Sequence, residues 1–458
     1  MPTHLQHPSS FRDPSGFIFE ANGKLYRQVN QVYGEHYRLL MESGLYENLS
    51  KKQWLLPHVE TNQNLTASPD FYKTILPQYI PFISYPYEWC FEQLQDAALL
   101  TLQIMMVAME HGMIIKDATP YNVQFLSGKP VFIDTLSFEK YDKSKPWIAY
   151  RQFCECFLFP LLISHYTAFE VHRLFAAYPE GIPSTITAGM LPGRARFSIR
   201  NWLHVYLPAS VSSRHSDKQI RFNESKLKRI IEHLKSVIQS IKPSTRNNST
   251  WNNYYNESIL SKEYLSSKES LVQEMIQKID LKSAIDLGCN QGLFSNLLIQ
   301  KAGNIIAVDA DPSSISNLYK EVRLGGTNIL PLCIDLANPP GNSGFKNQER
   351  ESFMQRLKFD LILALALIHH LAIGKNIPLE KLADFFSFTD RYLLIEFIPR
   401  EDEKVQQLLA DREDIFAGYN QNAFESAFSK YFQLLDKKRV NHSNRTIYLM
   451  KKNNQDYK

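Results

Sequence analysis

The stretch Ser283–Asp311, SAIDLGCNQGLFSNLLIQKAGNIIAVDAD, constrains the fold of this chain more than any other. A short apolar run ends at Asp286-Leu287-Gly288, and a second glycine follows at Gly292. A helix-like stretch then leads to another apolar run, Asn304–Val308, which ends at Asp309. Strand, glycine turn, helix, strand and carboxylate in this order make one βαβ half-unit. Glycines at the turn let the backbone approach a ligand closely. An acid about 20 residues beyond the first glycine can accept hydrogen bonds from both ribose hydroxyls. The turn reads D-x-G-x-x-x-G, not the G-x-G-x-x-G that cradles a pyrophosphate, and Asp286 would repel a phosphate placed there. The loop suits a ligand with an ammonium group and a ribose and no phosphate, a description that S-adenosylmethionine meets.

Three further apolar runs follow, Ile329–Ile334 ending at Asp335, Phe359–Ala366 followed by Leu367-Ile368-His369-His370, and Leu393–Phe397, which contains Glu396. Short runs at Tyr431–Leu435 and Thr446–Met450 complete the series. Near-continuous apolar strands alternating with helical segments predict an α/β domain, a doubly wound sheet covered on both faces.

Over roughly Lys262 to Lys451 the chain resembles the class I S-adenosylmethionine-dependent methyltransferases, on the segments DLGCNQG, AVDAD and FDLILALALIHHL. The resemblance implies a Rossmann-like, seven-stranded sheet with a reversed last hairpin. It implies that Asp286 bonds the methionine amino group, Gly288 and Gly292 let the loop lie against the cofactor, Asn290 bonds the methionine carboxylate, Asp309 holds the ribose hydroxyls and Asp335 faces the adenine amine. His369 or His370, just past the fourth strand, is a candidate base, since imidazole titrates near neutrality. Glu396, on the fifth, is a candidate contact to the acceptor. Without a catalytic role, one histidine packs under the sheet and the other begins a helix.

At 458 residues two domains are expected. The sequence divides into an N-terminal α+β domain over 1–240, a linker over 241–262 rich in Asn, Ser and Thr, and the methyltransferase-like domain over 263–458. Leu227, Ile230, Ile231, Leu234, Val237, Ile238 and Ile241 at helical spacing place an amphipathic helix just before the linker. Trp251, Tyr254, Tyr255 and Tyr264 after it either close over the ligand or seal a domain seam. A formal net charge of +4 gives no argument for nucleic acid or for a membrane surface. The five cysteines lack metal-site spacing, so no metal is assigned to the C-terminal site. The run Ala97–Met109 is too short to span a bilayer and no signal sequence is evident, so a cytoplasmic chain without a transmembrane segment is expected.

The N-terminal half holds a second constellation. After the apolar helix around Asp96–Met109 comes Lys116-Asp117-Ala118-Thr119-Pro120-Tyr121-Asn122, then a Gly128-Lys129-Pro130 turn and a strand ending at Asp134. D-x-x-x-x-N followed by a strand-end Asp resembles the catalytic and metal loops of protein-kinase-like phosphotransferases. That resemblance implies Asp117 orienting an acceptor hydroxyl, with Asn122 and Asp134 on magnesium and ATP as the phosphoryl donor. The glycine-rich loop, the V-A-I-K strand and the D-F-G are missing, with Arg27 or Lys24 as the substitutes for the lysine. Capping and turn roles account for the same residues without any ligand.

The whole chain is similar to a bacterial, nodulation-type group of methyltransferases with a long N-terminal domain, through DPSGFIF, KLYRQVN, PFISYPYEW, KDATPYNVQFLSGKPVFIDTLSF and IEFIPREDEKVQQLLADREDIF. The resemblance implies a small-molecule or glycan acceptor. Two functions follow: a methyltransferase whose N-terminal domain recognises the acceptor, or a bifunctional enzyme with ATP- and magnesium-dependent phosphotransfer in a kinase-like N-terminal domain.

Overall fold

The computed structural model describes residues 5–211, 223–244, 262–410, 413 and 415–453. Two compact units divide the chain, Met1–Asn247 with Gly344–Arg350, and Asn248–Ser343 with Glu351–Lys458. The segment Gly344–Arg350, inside the C-terminal half of the sequence, thus belongs to the first unit.

The first unit opens with strands β1 (Leu5–Gln6), β2 (Gly16–Ala21), β3 (Lys24–Asn30), β4 (His58–Thr61) and β5 (Phe71–Pro77), an antiparallel sheet in the order β1-β2-β3-β5-β4. The helix Phe91–Glu110 follows, and its apolar residues are mostly buried. β6 (Met113–Ile115) pairs antiparallel with β9 (Phe138–Lys140), and β7 (Val123–Leu126) forms a hairpin with β8 (Lys129–Phe132). Ser127 and Gly128 both have positive φ, as a two-residue hairpin turn requires. Helical segments make up most of the rest of the described part of this unit, among them Glu224–Ser240, which buries Leu227, Ile231, Leu234, Val237 and Ile238 of its predicted apolar side; Ile230 is only half-buried, and Ile241 is buried just past the helix end.

In the second unit β10 (Ser283–Leu287), β11 (Asn304–Asp309), β12 (Ile329–Cys333), β13 (Leu361–Ala364), β14 (Tyr392–Phe397), β15 (Phe432–Arg439) and β16 (Thr446–Lys452) form one sheet. Its order is β12-β11-β10-β13-β14-β16-β15. The first five strands run parallel, β16 is antiparallel to β14, and β15 is antiparallel to β16. This is the seven-stranded arrangement with a reversed hairpin that the methyltransferase resemblance implies. The order reverses between β10 and β13, so the crevice for a ligand lies at the carboxyl ends of these strands. Helix Pro312–Gly325 starts on Asp311, whose carboxylate accepts from the Ser313 and Ser314 N–H groups, and stops at Gly326 in the left-handed conformation.

One expected element is absent. The helix-like stretch after Gly292 forms only a short 3-10 turn, Ser295–Leu298. The Ser295 hydroxyl is turned inward onto Asp286. Positions 245–261 of the expected linker, with Trp251, Tyr254 and Tyr255, lie outside the described residues.

Candidate functional site

β10 carries Asp286 to the carboxyl edge of the sheet, where it is buried. Burial pushes its carboxyl up to about 7; a hydrogen bond from Ser295 Oγ at 2.6 Å and the Lys268 charge oppose the rise, and the Asp309 charge adds to it. Beyond Leu287 the chain turns at Gly288 (φ +79°), Asn290 (φ +49°) and Gly292 (φ +82°). Gly288 and Cys289 N–H both donate to the Val308 carbonyl, at 2.8 and 3.0 Å, which pins the loop across the end of β11. The glycines answer different needs. A Cβ on Gly292 would stand 2.5 Å from Leu318 Cδ1, so this position must be bare for the loop to pack on helix Pro312–Gly325. A Cβ on Gly288 would meet Leu367 Cδ1 at 3.3 Å, on the side of the segment that follows β13.

Asp309 ends β11 and faces the loop. Its Oδ2 accepts from Asn290 N–H at 2.8 Å and its Oδ1 from Asp311 N–H at 2.9 Å. Burial raises its pKa, and these backbone bonds oppose the rise. A carboxylate has about four acceptor positions, so capacity remains on Asp309 for further hydroxyl donors. The Asn290 side chain is buried and its Oδ1 accepts from Gln291 N–H at 2.8 Å. Asp335 stands two residues past β12, exposed, with Oδ1 accepting from Ala337 N–H and with Lys375 Nζ 3.6 Å away.

The structure places Glu396 and His369, expected at the acceptor, in buried surroundings. Glu396 is fully buried in β14. Its Oε2 accepts from Lys268 Nζ at 2.7 Å and from Ala366 N–H at 2.8 Å, and its Oε1 accepts from Tyr264 OH at 3.1 Å. Arg445 continues the cluster, donating to Tyr264 OH at 3.0 Å and through two nitrogens to Asp402 at 2.8 and 3.0 Å. Burial pushes the Glu396 carboxyl up, but the Lys268 and Arg445 charges, with hydrogen bonds from Lys268 and Tyr264, hold it below its ordinary value. Glu396 therefore faces an internal ion cluster instead of an acceptor. His369 is fully enclosed, with neither ring nitrogen hydrogen-bonded among the described residues. Burial above all, then the His370 charge, drives its pKa well down. An enclosed, unpartnered ring matches the packing alternative for His369. His370 stacks obliquely on it, ring centroids 4.0 Å apart, and is only partly buried, with burial lowering its pKa to about 4.

Sequence reasoning missed Lys268, Ser295 and Arg445 as members of this region, and assigned Tyr264 to a lid or seam. Lys268 and Tyr264 share the helix Lys262–Gln277, and Arg445 immediately precedes β16. A lysine inside an otherwise amphipathic helix gives no warning of burial; only the fold brings Glu396 to it.

The N-terminal constellation does converge. Asn122 Nδ2 lies 3.3 Å from Asp117 Oδ2 and 3.2 Å from Ser137 Oγ, and Ser137 Oγ donates to Asp134 Oδ2 at 2.6 Å. Arg27 of β3 forms an ion pair with Asp134, and Gln152 Nε2 donates to Asp117 Oδ1 at 2.6 Å. Burial pushes Asp134 up, but Arg27 and the Ser137 and Leu136 bonds outweigh it and leave its pKa lowered. Burial, with the Asp134 charge, raises Asp117. Lys116 Nζ turns to Ser15 Oγ at 2.8 Å.

The sheet order and the loop–carboxylate geometry at its switch point define a Rossmann-like α/β protein of the arrangement seen in class I methyltransferases. The chain belongs to the family of the nodulation protein NoeA of Rhizobium meliloti, to which it is 33% identical over 456 residues, covering 96% of this chain and 94% of that protein. No family model matches the sequence. Among solved structures it is similar to the N-methyltransferase NodS from Bradyrhizobium japonicum WM9, at 8% identity and a TM-score of 0.33, over 42% of this chain and 98% of that one. It is also similar to the magnesium protoporphyrin IX methyltransferase ChlM from Synechocystis PCC 6803 with bound S-adenosylmethionine, at 16% identity and a TM-score of 0.32, over 45% of this chain and 93% of that one. The fold assignment stands on the strand order, not on these scores. Among the described residues no helix is long and apolar enough to cross a membrane, and no cluster of three or more His, Cys, Asp or Glu could hold a metal ion.

Proposed function

We propose that the second unit is an S-adenosylmethionine-dependent methyltransferase. The observation that carries this reading is the pair Asp286 and Asp309 at the carboxyl ends of β10 and β11, flanking a loop turned by Gly288 and Gly292. The donor set fits the cofactor: a buried carboxylate for an ammonium group, a second carboxylate with acceptor capacity left for ribose hydroxyls, and Asp335 beyond β12 for an amine. S-adenosylmethionine supplies a methyl group already activated by its sulfonium. Asp286 balances the amino group, Asp309 fixes the ribose and the register of the loop, and Asn290 offers its side-chain amide to the carboxylate. What remains for the chain is alignment of an acceptor with the carbon–sulfur bond. His370, partly buried and neutral above about pH 4, is the histidine that can take a proton. A carbohydrate or other small-molecule acceptor, recognised by the first unit, is the reading implied by the resemblance to a nodulation-type group.

A second reading is favoured by the convergence of Asp117, Asn122 and Asp134, namely phosphotransfer from magnesium–ATP in the first unit. The Arg27 guanidinium on Asp134 and the Gln152 amide on Asp117 weigh against it, because each occupies an oxygen that a cation or an acceptor hydroxyl would need. Isothermal titration of the full chain with S-adenosylmethionine and, separately, with ATP and magnesium tests both readings. Saturable heat with the first ligand alone supports methyl transfer with a recognition unit. Heat with the second that disappears in Asp134→Asn supports the bifunctional enzyme. Heat with neither overturns both.

A further inference from the structure

The segment Gly193–Val211 of the first unit runs through consecutive helical turns, Gly193–Phe197, Ile199–Asn201, Trp202–Tyr206 and Leu207–Val211. The side turned into the protein buries Ala195 and Val205 together with two polar anchors, Asn201 and His204. Asn201 Nδ2 donates to Tyr166 OH and to the Ala195 carbonyl, both at 3.0 Å. His204 joins Tyr150 OH at 2.6 Å through Nδ1 and His233 at 2.9 Å through Nε2. The side turned to water carries several large apolar residues. Ile199, Trp202 and Leu203, at helical spacing i, i+3, i+4, are 83%, 53% and 41% exposed, and Phe197 just before them is 91% exposed. Buried hydrogen bonds hold the orientation, so the segment cannot roll its apolar side inward without leaving Asn201 and His204 unpaired.

Exposed apolar residues of this density mark an interaction surface. Its chemistry selects one partner. Exposed Arg194 and Arg196 immediately precede Phe197, the most exposed aromatic among the described residues, and Trp202 supplies an indole with one apolar and one polar side. Basic side chains beside Trp, Phe, Leu and Ile on a short helical surface are the composition of segments that lie in a bilayer interface. A protein partner needs shape complementarity; a bilayer needs only apolar residues that can reach below the headgroups and cations that meet anionic lipid. We propose that this face, centred on Phe197 and Trp202, docks peripherally on an anionic lipid surface. No spanning helix is required, in agreement with the helices described. The inference is independent of the methyltransferase reading, since it rests on side chains of the other unit.

Flotation of the full chain with vesicles of phosphatidylcholine alone, and of phosphatidylcholine mixed with phosphatidylglycerol, tests it. The chain is expected to float with the mixed vesicles and to be released by salt. Each exposed basic group near an anionic surface is worth roughly fivefold in partitioning, so the Arg194→Gln, Arg196→Gln pair should weaken it about 25-fold. Phe197→Ser with Trp202→Ser should weaken it about tenfold or more, with an unchanged thermal melt showing that the unit still folds. The proposal is overturned if neither vesicle retains the chain, or if binding persists in both double variants. It is also overturned if the chain forms a dimer that Phe197→Ser dissociates, which would make this face a contact between copies.

Discussion

The carboxyl of Asp286, held near pH 7 by burial, makes ligand affinity a titration. An ammonium ligand at this position needs the ionised form. With a pKa of about 7, roughly one molecule in a hundred carries that form at pH 5 and about half carry it at pH 7, so affinity for S-adenosylmethionine should rise about 50-fold across this window, or ~2.3 kcal/mol. The α-amine of the ligand stays protonated over the same range, so it adds no slope of its own. Each binding event should release close to one proton at pH 5 and about half a proton at pH 7. Titration calorimetry in two buffers of different ionisation heat reads both numbers. The unliganded fold responds in the opposite sense. A carboxyl whose pKa is raised by folding binds more protons in the native state, so its contribution to stability is full below pH 4 and is lost as the pH rises towards 7. Asp286→Asn should abolish the slope and leave affinity near the wild-type value at pH 5. Ser295→Ala removes a bond that favours the carboxylate and should move the midpoint upward. Affinity that is flat from pH 5 to 7 with no proton release, or a slope that survives in Asp286→Asn, would refute the reasoning.

Asp309→Ala removes charge-assisted bonds to the ribose and the anchor of Asn290 N–H, and calorimetry should show affinity for S-adenosylmethionine reduced about ten-fold to a hundred-fold. Gly292→Val places a branched side chain at φ +82° against Leu318, so the chain should melt earlier in a thermal scan as well as bind less ligand. Glu396→Ala strands Lys268 without its carboxylate; a cost of about 3–5 kcal/mol should appear in denaturant unfolding, and Glu396→Gln, which keeps an acceptor for Ala366 N–H, should cost less. Once an acceptor is found, His370→Gln should lower turnover by roughly 10²–10⁴ if that ring takes the proton, and the wild-type kcat at saturating cofactor should be flat above about pH 5, because the ring is already neutral there. Wild-type turnover in His370→Gln would leave alignment alone as the source of catalysis.

Much of the second unit is legible along the chain. Ile305 to Val308 form an unbroken apolar run because β11 is covered on both faces, and the run stops at Asp309, whose carboxylate accepts from the Asn290 and Asp311 N–H groups. Asp286, Gly288 and Gly292 announce themselves by spacing, since a strand end, a turn and a close packing contact all fall within a few residues. The 3-10 turn at Ser295–Leu298 was not legible, because the apolar residues there satisfy a helical pattern while the Ser295 hydroxyl is claimed by Asp286.

Local sequence thus determined the order of the strands, the glycine loop and the two acids beside it, because period, turn residues and strand ends are properties of neighbours in the chain. Only the tertiary structure decided which charges are buried together and which faces meet water. Tyr264 reaches Arg445 across 181 positions, and Arg27 reaches Asp134 across 107. Helical spacing at Ile199, Trp202 and Leu203 shows that the three share a face but not where that face points. Asn201 and His204 set its direction, through hydrogen bonds to residues that folding brings beside them.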